Sequence, residues 1–151
     1  SGWADTSIRA TITGLTANKA YYYRVVAVNS VGTTTGTTQS FTTLASSAPS
    51  ITGETASPVN NTKETITFKV NANGSNTSSL KLQWSASKAT LESGSGTVVS
   101  TSPSGATGDL DTSVSGTIQN LTKATTYYYR VVAANSKGTT TGVTQSFTTS
   151  G

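Results

Sequence analysis

Residues 6–43 and 112–149 are one passage written twice. Sliding the chain along itself by 106 positions pairs Thr6 with Thr112 and Thr43 with Thr149; of the 38 pairs, 26 are identical and 12 differ. Such self-similarity means two copies of one structural unit. The differences gather where solvent is expected, at residues 17–20 against 123–126 and at Val31 against Lys137.

The second copy reads as strands. In "SVSGTIQNL", Val114, Gly116 and Ile118 fall on one face, the period of two that a pleated strand imposes. In "TYYYRVVAAN", Tyr127, Tyr129, Val131 and Ala133 take one side, and Tyr128, Arg130, Val132 and Ala134 the other. "NSKGTTTG" marks a turn by its Asn, Ser and Gly content, and in "VTQSFTT" Val143, Gln145 and Phe147 share a face. Three strands punctuated by turns predict an antiparallel unit.

Upstream, "APSITGETASPV" reads as a first strand broken by Pro49 and Pro58, since proline is tolerated at strand ends and edges but not mid-sheet. Ile66, Phe68, Val70 and Ala72 share one face of the next strand, and Leu80, Leu82 and Trp84 one face of a third. A weaker strand is expected over 96–101, followed by the loop "SPSGATGDLD". Residues 47–149 thus hold about seven short strands at turn-punctuated spacing, the pattern of a two-sheet sandwich.

Composition supports strands over helices. Ser and Thr make up 55 of 151 residues, charged residues only 11% and the apolar set 33%; Thr and Val are stiff at χ1 and pack well on a pleated surface. So much Ser, Thr and Gly also fits a disordered chain, but the regular alternation argues against that. The chain has no Cys, His or Met, which removes most nucleophilic triads, thiol chemistry, zinc sites and haem attachment. No cofactor is expected. No run of about 18 apolar residues exists, so no membrane insertion is expected. The N-terminus carries no basic-then-apolar signal segment, so for a secreted protein that signal lies outside this chain. The net charge of +4 is spread over ten separate Lys and Arg positions without a cluster. A nucleic-acid partner, which needs a concentrated basic patch, is not expected.

Leu121, five residues, Tyr127 and then "YYRVVAANSKG" resemble the fibronectin type III domain, in particular its Thr-rich bacterial surface version ending in "SFTT". The resemblance spans residues 47–149, most closely in the last three strands. It implies a tyrosine corner, in which the tyrosine hydroxyl ties the chain crossing between sheets to nearby backbone; the matching pairs are Leu121 with Tyr127 and Leu15 with Tyr21. The family's usual tryptophan in the second strand has no counterpart, Phe68 occupying that region, and Trp84 in the third strand is the expected core tryptophan.

Residues 1–44 match only the last three strands, so the first copy reads as half a sandwich, lacking counterparts of Ile51, Ile66, Phe68, Leu82 and Trp84. Left alone it would expose Ile8, Ile12, Leu15, Tyr21, Tyr23, Val25 and Phe41 together, a larger apolar patch than a soluble monomer normally carries. These residues, with Trp3, are the candidate subunit or domain interface. Two explanations are open: the chain is an excerpt from a longer multi-domain protein, or a neighbouring chain supplies the missing surface as an added strand would. Head-to-tail contacts that do not close would build a filament.

Chemistry is harder to find. The six carboxylates are Asp5, Glu54, Glu64, Glu92, Asp109 and Asp111; no spacing among them forces a catalytic pair into a cleft. Asp109 and Asp111, two apart in "GDLDT" and so able to face one way, are the best candidates; a calcium site needs six to eight oxygens and usually more acid than this, and an acidic strand-entry turn is the simpler reading. "GTTTG" and "GSGTVV" lack the lysine and helix of a phosphate loop, and "NSKGTTTG" contains no Arg-Gly-Asp. Tyr22, Arg24, Tyr128 and Arg130 fall on the outer face of a sheet; Tyr and Arg are enriched where proteins meet partners and tyrosines stack on sugars, but cross-strand pairs also stabilise any solvated face. Asn60, Asn73, Asn76 and Asn120 sit in Asn-x-Ser/Thr patterns and are candidate N-glycosylation sites.

The expectation is therefore an all-β, immunoglobulin-like or fibronectin type III-like antiparallel sandwich: one full domain at 47–149 plus a C-terminal half-domain at 1–44. The resemblance implies a non-catalytic structural module of an extracellular or cell-surface fibre, filament, stalk or adhesin shaft. Its partners would be copies of itself or adjacent domains, and glycans. The alternative is a spacer or carbohydrate-binding accessory region of a secreted polysaccharide-degrading enzyme.

Overall fold

A computed structural model describes residues 4–151, in which the chain divides between Ala45 and Ser46 into two units. The interface candidate Trp3 lies outside the described residues. In the first unit, β1 (Ala20–Tyr23), β2 (Val26–Val28), β3 (Thr33–Thr35) and β4 (Gln39–Thr42) form two small antiparallel ladders, β1 with β4 and β2 with β3.

The second unit contains β5 (Ser50–Asn60), β6 (Lys63–Asn71), β7 (Ser79–Ser85), a helical turn α1 (Lys88–Thr90) that widens to π pitch over Leu91–Ser95, then β8 (Thr97–Val99), β9 (Asp111–Ile118), β10 (Thr126–Asn135), β11 (Gly138–Thr141) and β12 (Gln145–Thr148). One sheet runs β5-β6-β9. The other runs β8-β7-β10, with β11 and β12 both on the far edge of β10, where they occupy successive stretches as one interrupted strand. Every pairing is antiparallel. Three strands facing four make an all-β sandwich of the immunoglobulin-like, fibronectin type III-like class.

The inward faces are the ones the alternation predicts. Ile66, Phe68, Val70 and Ala72 meet Leu82, Val114, Ile118, Tyr127, Tyr129, Val131 and Ala133 in one buried cluster, with Trp84 and Phe147 half-buried against it. Removing each large side chain from water is worth about 1.5–3 kcal/mol, and this layer is what holds the two sheets together.

Four local differences have physical causes. Val143 does not share the strand face of Phe147; it lies exposed between β11 and β12, where the Gly142 N–H turns in to donate to the Val131 carbonyl at 2.7 Å. Pro58 does not break the first strand, because β5 is a sheet edge and needs no donor there; its irregularities are register shifts between Thr52 and Thr55, around Gly53 at φ 66°, and between Pro58 and Asn60. The turn at 88–95 has no counterpart in the alternation pattern. Ser87 caps it, its Oγ accepting from the Thr90 N–H at 3.3 Å, and Leu91 anchors it fully buried, apart from the central cluster.

The fourth difference is in the repeat. "YYYRVVA" forms one unbroken strand in β10 but splits between β1 and β2 in the first unit. Beside β10 runs β7, in register from Tyr128 opposite Ser85 to Ala134 opposite Ser79; β1 and β2 have no such neighbour among the described residues. Likewise residues 5–12, which align with β9, form no strand, so the first unit contains less ladder than the expected three strands. β9 is a strand because β6 pairs with it along its whole length. Alternation alone leaves backbone donors and acceptors to water, and only a partner turns it into sheet.

Candidate interaction surface

Both units share one internal scaffold. The Tyr127 hydroxyl accepts from the Thr122 N–H at 2.9 Å, and the Tyr21 hydroxyl from the Thr16 N–H at 2.8 Å. The Thr149 hydroxyl donates to the Thr122 carbonyl at 2.6 Å, and the Thr43 hydroxyl to the Thr16 carbonyl at the same distance. Asn18 and Ala124 occupy matching left-handed positions at φ 52° and 49°. The aromatic stack repeats too: Tyr127 to Phe147 at 5.8 Å and 29°, Tyr21 to Phe41 at 5.9 Å and 25°. The corner is therefore a local structure that this passage makes by itself.

What differs is cover. Ile8, Ile12, Tyr23 and Val25 are 88%, 56%, 46% and 65% exposed, whereas their counterparts Val114, Ile118, Tyr129 and Val131 are at 3%, 0%, 3% and 0%. Leu15, Tyr21 and Phe41 are half-buried. Ile8 and Ile12 line an open groove of about 640 Å³ together with Tyr23, Val25 and Phe41, so five of the eight interface candidates converge on one concavity. Tyr21 stacks on Phe41 of that lining. In the second unit Trp84 packs edge-on against Tyr127 at 5.3 Å; no ring plays that part against Tyr21 among the described residues.

The outer-face candidates behave differently in the two units. Tyr22 is 75% exposed and Arg24 is exposed. Tyr128 and Arg130 are half-buried, and Arg130 is committed internally: its Nε donates to Gln83 Oε1 at 3.1 Å and its guanidinium reaches the Glu92 carbonyl at 3.5 Å. The helical turn thus lies over this face, with Lys88 Nζ 3.8 Å from Glu92 Oε1.

Of the candidate glycosylation sites, Asn60, Asn76 and Asn120 are exposed. Asn60 is the last residue of β5, and its Oδ1 accepts from both the Thr62 N–H and hydroxyl in the turn to β6, at 2.9 and 3.0 Å. Asn73 is half-buried, and the amide nitrogen that would carry a glycan donates to the Ala48 carbonyl at 2.7 Å. Asp109 and Asp111 flank the entry to β9, where Asn71 Nδ2 donates to the Asp109 carbonyl at 2.9 Å and to Asp111 Oδ1 at 3.2 Å. Among the described residues no three acidic side chains gather as a metal site would require, and no helix is long and apolar enough to cross a membrane.

Two features escaped the sequence reading. Asn135, read only as a turn residue, is buried, and its Nδ2 donates to the carbonyls of Ser47, Ala72 and Ser75 at 2.7, 3.0 and 3.1 Å. The available signal was its retention as Asn29 in the first copy. The other is the burial of two acidic groups, Tyr129 and Glu64, inside the sandwich. Burial pushes the Tyr129 phenol above its ordinary value, with the Glu54 and Glu64 charges adding to the effect, and burial raises the Glu64 carboxyl. In the first unit hydrogen bonding by Thr16 holds the Tyr21 phenol below its ordinary value, and Lys19 Nζ stands 5.6 Å from the ring centre.

No protein-family model matches the chain, and no curated protein matches it. Among solved structures, the sensor domain of the anti-sigma factor RsgI4 from Pseudobacteroides cellulosolvens is 21% identical over 68% of this chain and 94% of that one, with a TM-score of 0.48. The chicken CNTN1 FN1-FN3 domains are 17% identical over 91% of this chain and 45% of that one, at 0.49. Domains d3-d4 of the rat CD45 extracellular region are 15% identical over 99% and 74%, at 0.44. Each superposition falls below half of the scale, and the fold stands on the strand order and register of the chain itself.

Proposed function

We propose that this chain is a non-catalytic structural segment of an extracellular or cell-surface shaft built from tandem β-sandwiches. One observation carries the reading: the hydrogen-bonded tyrosine corner and its aromatic stack recur at a 106-residue offset with matching geometry, as units multiplied for length would show. Antiparallel sandwiches in series set a spacing and resist extension and proteolysis, and Ser/Thr faces with few charges stay hydrated without selecting a ligand. The adjoining modules of the shaft are its partners, in cis or head to tail along a fibre.

Electron microscopy of the native material, with its intact mass, tests this. A regular rod or filament beaded at one module length is the expected result. A single globular particle in which these units are joined to a polysaccharide-hydrolysing domain would replace the shaft by an accessory role.

A further inference from the structure

We infer that the open face of the first unit receives a four-stranded β module made like β5–β8, supplied by polypeptide outside residues 1–151. This deepens the tandem reading and rests on it. The second unit shows how such a face is filled, and the first retains the groups that do the filling.

Asn135 grips three carbonyls of the β5–β8 half through its Nδ2. Its counterpart Asn29 uses only Oδ1, for the Val31 and Gly32 N–H groups, and its Nδ2 has no acceptor among the described residues. The Thr140 hydroxyl donates to the Pro49 carbonyl; Thr34, its counterpart, makes no such bond among the described residues. Gly138 lies against Ala48, the position of a β-carbon there being 3.2 Å from the alanine methyl, while around Gly32 that space is open. Arg130 holds Gln83 of β7, whereas Arg24 stands exposed. Donors thus await backbone carbonyls, a cation awaits an amide or carboxylate oxygen, and the aromatic stack is already set. These groups match an incoming Ser-Ala-Pro lead and a β7-like strand, and of them Arg24 lines the apolar groove itself.

Counting halves excludes a swapped second copy as the occupant. Each chain has two halves of the β9–β12 kind, residues 5–43 and 111–149, and one of the β5–β8 kind, residues 46–99. Exchange between copies closes one face by opening another.

The occupant also differs from β5–β8 at one place. Gly116 lies where a β-carbon would come 2.8 Å from Leu82 Cδ2 and 3.2 Å from the Ser100 carbonyl. The first unit has Ala10 at that position. A module that fits it carries a shorter side chain than leucine at the Leu82 position.

The test places an added copy of residues 46–110 in front of residue 5, so that it joins the first unit as the native segment joins Asp111. Amide hydrogen exchange is read over residues 21–28, with β10 of the same molecule as internal reference. Docking slows these amides by about a hundredfold or more, as burial in a cooperative sheet does. Leu82→Val in the added copy slows them further. Asn29→Ala with Thr34→Ala reverses part of the gain while β10 is unchanged. Exchange as fast as in the unfused chain, with β10 still protected, overturns the inference. So does sedimentation of the unfused chain as a dimer whose residues 21–28 are already protected, which assigns the face to a second copy. Microscopy of the native material reads the shaft separately: a beaded filament with an unprotected fusion removes the docking and leaves the shaft, and a lone particle with a protected fusion does the reverse.

Discussion

The phenolic oxygen of Tyr127 takes the backbone N–H of Thr122 at 2.9 Å, five residues earlier, while its ring is buried against Trp84 and Phe147. One side chain thereby fixes the crossing between the two sheets and fills part of the core. Tyr127→Phe keeps the ring and leaves the Thr122 N–H without its acceptor, a loss of about 1–2 kcal/mol. For a domain of this size the melting temperature of the second unit should fall by roughly 4–8 °C per kcal/mol. An unchanged midpoint in calorimetry would deny the hydroxyl any part in holding the corner.

Asn135→Ala should cost more, about 2–3 kcal/mol, because three carbonyls then lose one donor group in a place where water has little access. Asn135→Asp should be worse, since it turns an anion toward the same three oxygens. Denaturant titration of the two variants gives the order directly; an aspartate variant as stable as the parent would contradict the contact geometry.

Glu64 sets a pH dependence. Burial raises its carboxyl in the folded chain, so the folded state holds that proton more tightly than the unfolded one. The resulting stabilisation is complete below the ordinary carboxylate value and is lost as pH rises through the raised one. At neutral pH Glu64→Gln should therefore be more stable than the parent, with the gap closing on acidification into the carboxylate range. Urea midpoints of both proteins at neutral and acid pH measure that gap, and a gap widening toward acid would have the wrong sign.

Gly116→Ala should destabilise the second unit by about 1–3 kcal/mol, the usual range for overpacking. The new methyl would meet the Leu82 side-chain end, which can move, and the Ser100 carbonyl, which cannot easily. Adding Leu82→Val should recover part of the loss. If the double variant is no better than the sum of the singles, the crowding lies elsewhere.

The sandwich was legible because β6, β7, β9 and β10 alternate with few exceptions, and alternation decides which residues face a core. The corner was legible through Leu121 and Tyr127. Leu91 was not, since a single apolar residue in a polar loop carries no period, and its burial is made by the sheet beneath it. Asn135 was read as a turn residue, which it is, with the Lys137 N–H on its Oδ1 at 2.8 Å; its other end reaches residues 60 to 88 positions away, a relation no local pattern holds. Residues 5–12 show the converse, a strand pattern without a strand. That Ile8, Ile12, Tyr23, Val25 and Phe41 would share an open face was legible because their counterparts in the second copy fall on the strand faces turned to its core.

The second unit's strand edges bear on how such a chain avoids pairing edge to edge. On one sheet, β5 carries Pro58 and two register shifts, and the outer side of β9 is occupied at Ser115 by Ser102, each N–H donating to the other's carbonyl at 2.8 and 3.0 Å. On the other, β8 is three residues long, and the opposite edge is cut between β11 and β12 by the turn at Gly142. A chain so rich in Thr and Val is at risk of growing sheets sideways without limit, as amyloid does. Interrupted borders deny it a straight template, so crowded copies can lie side by side without fusing into one ribbon.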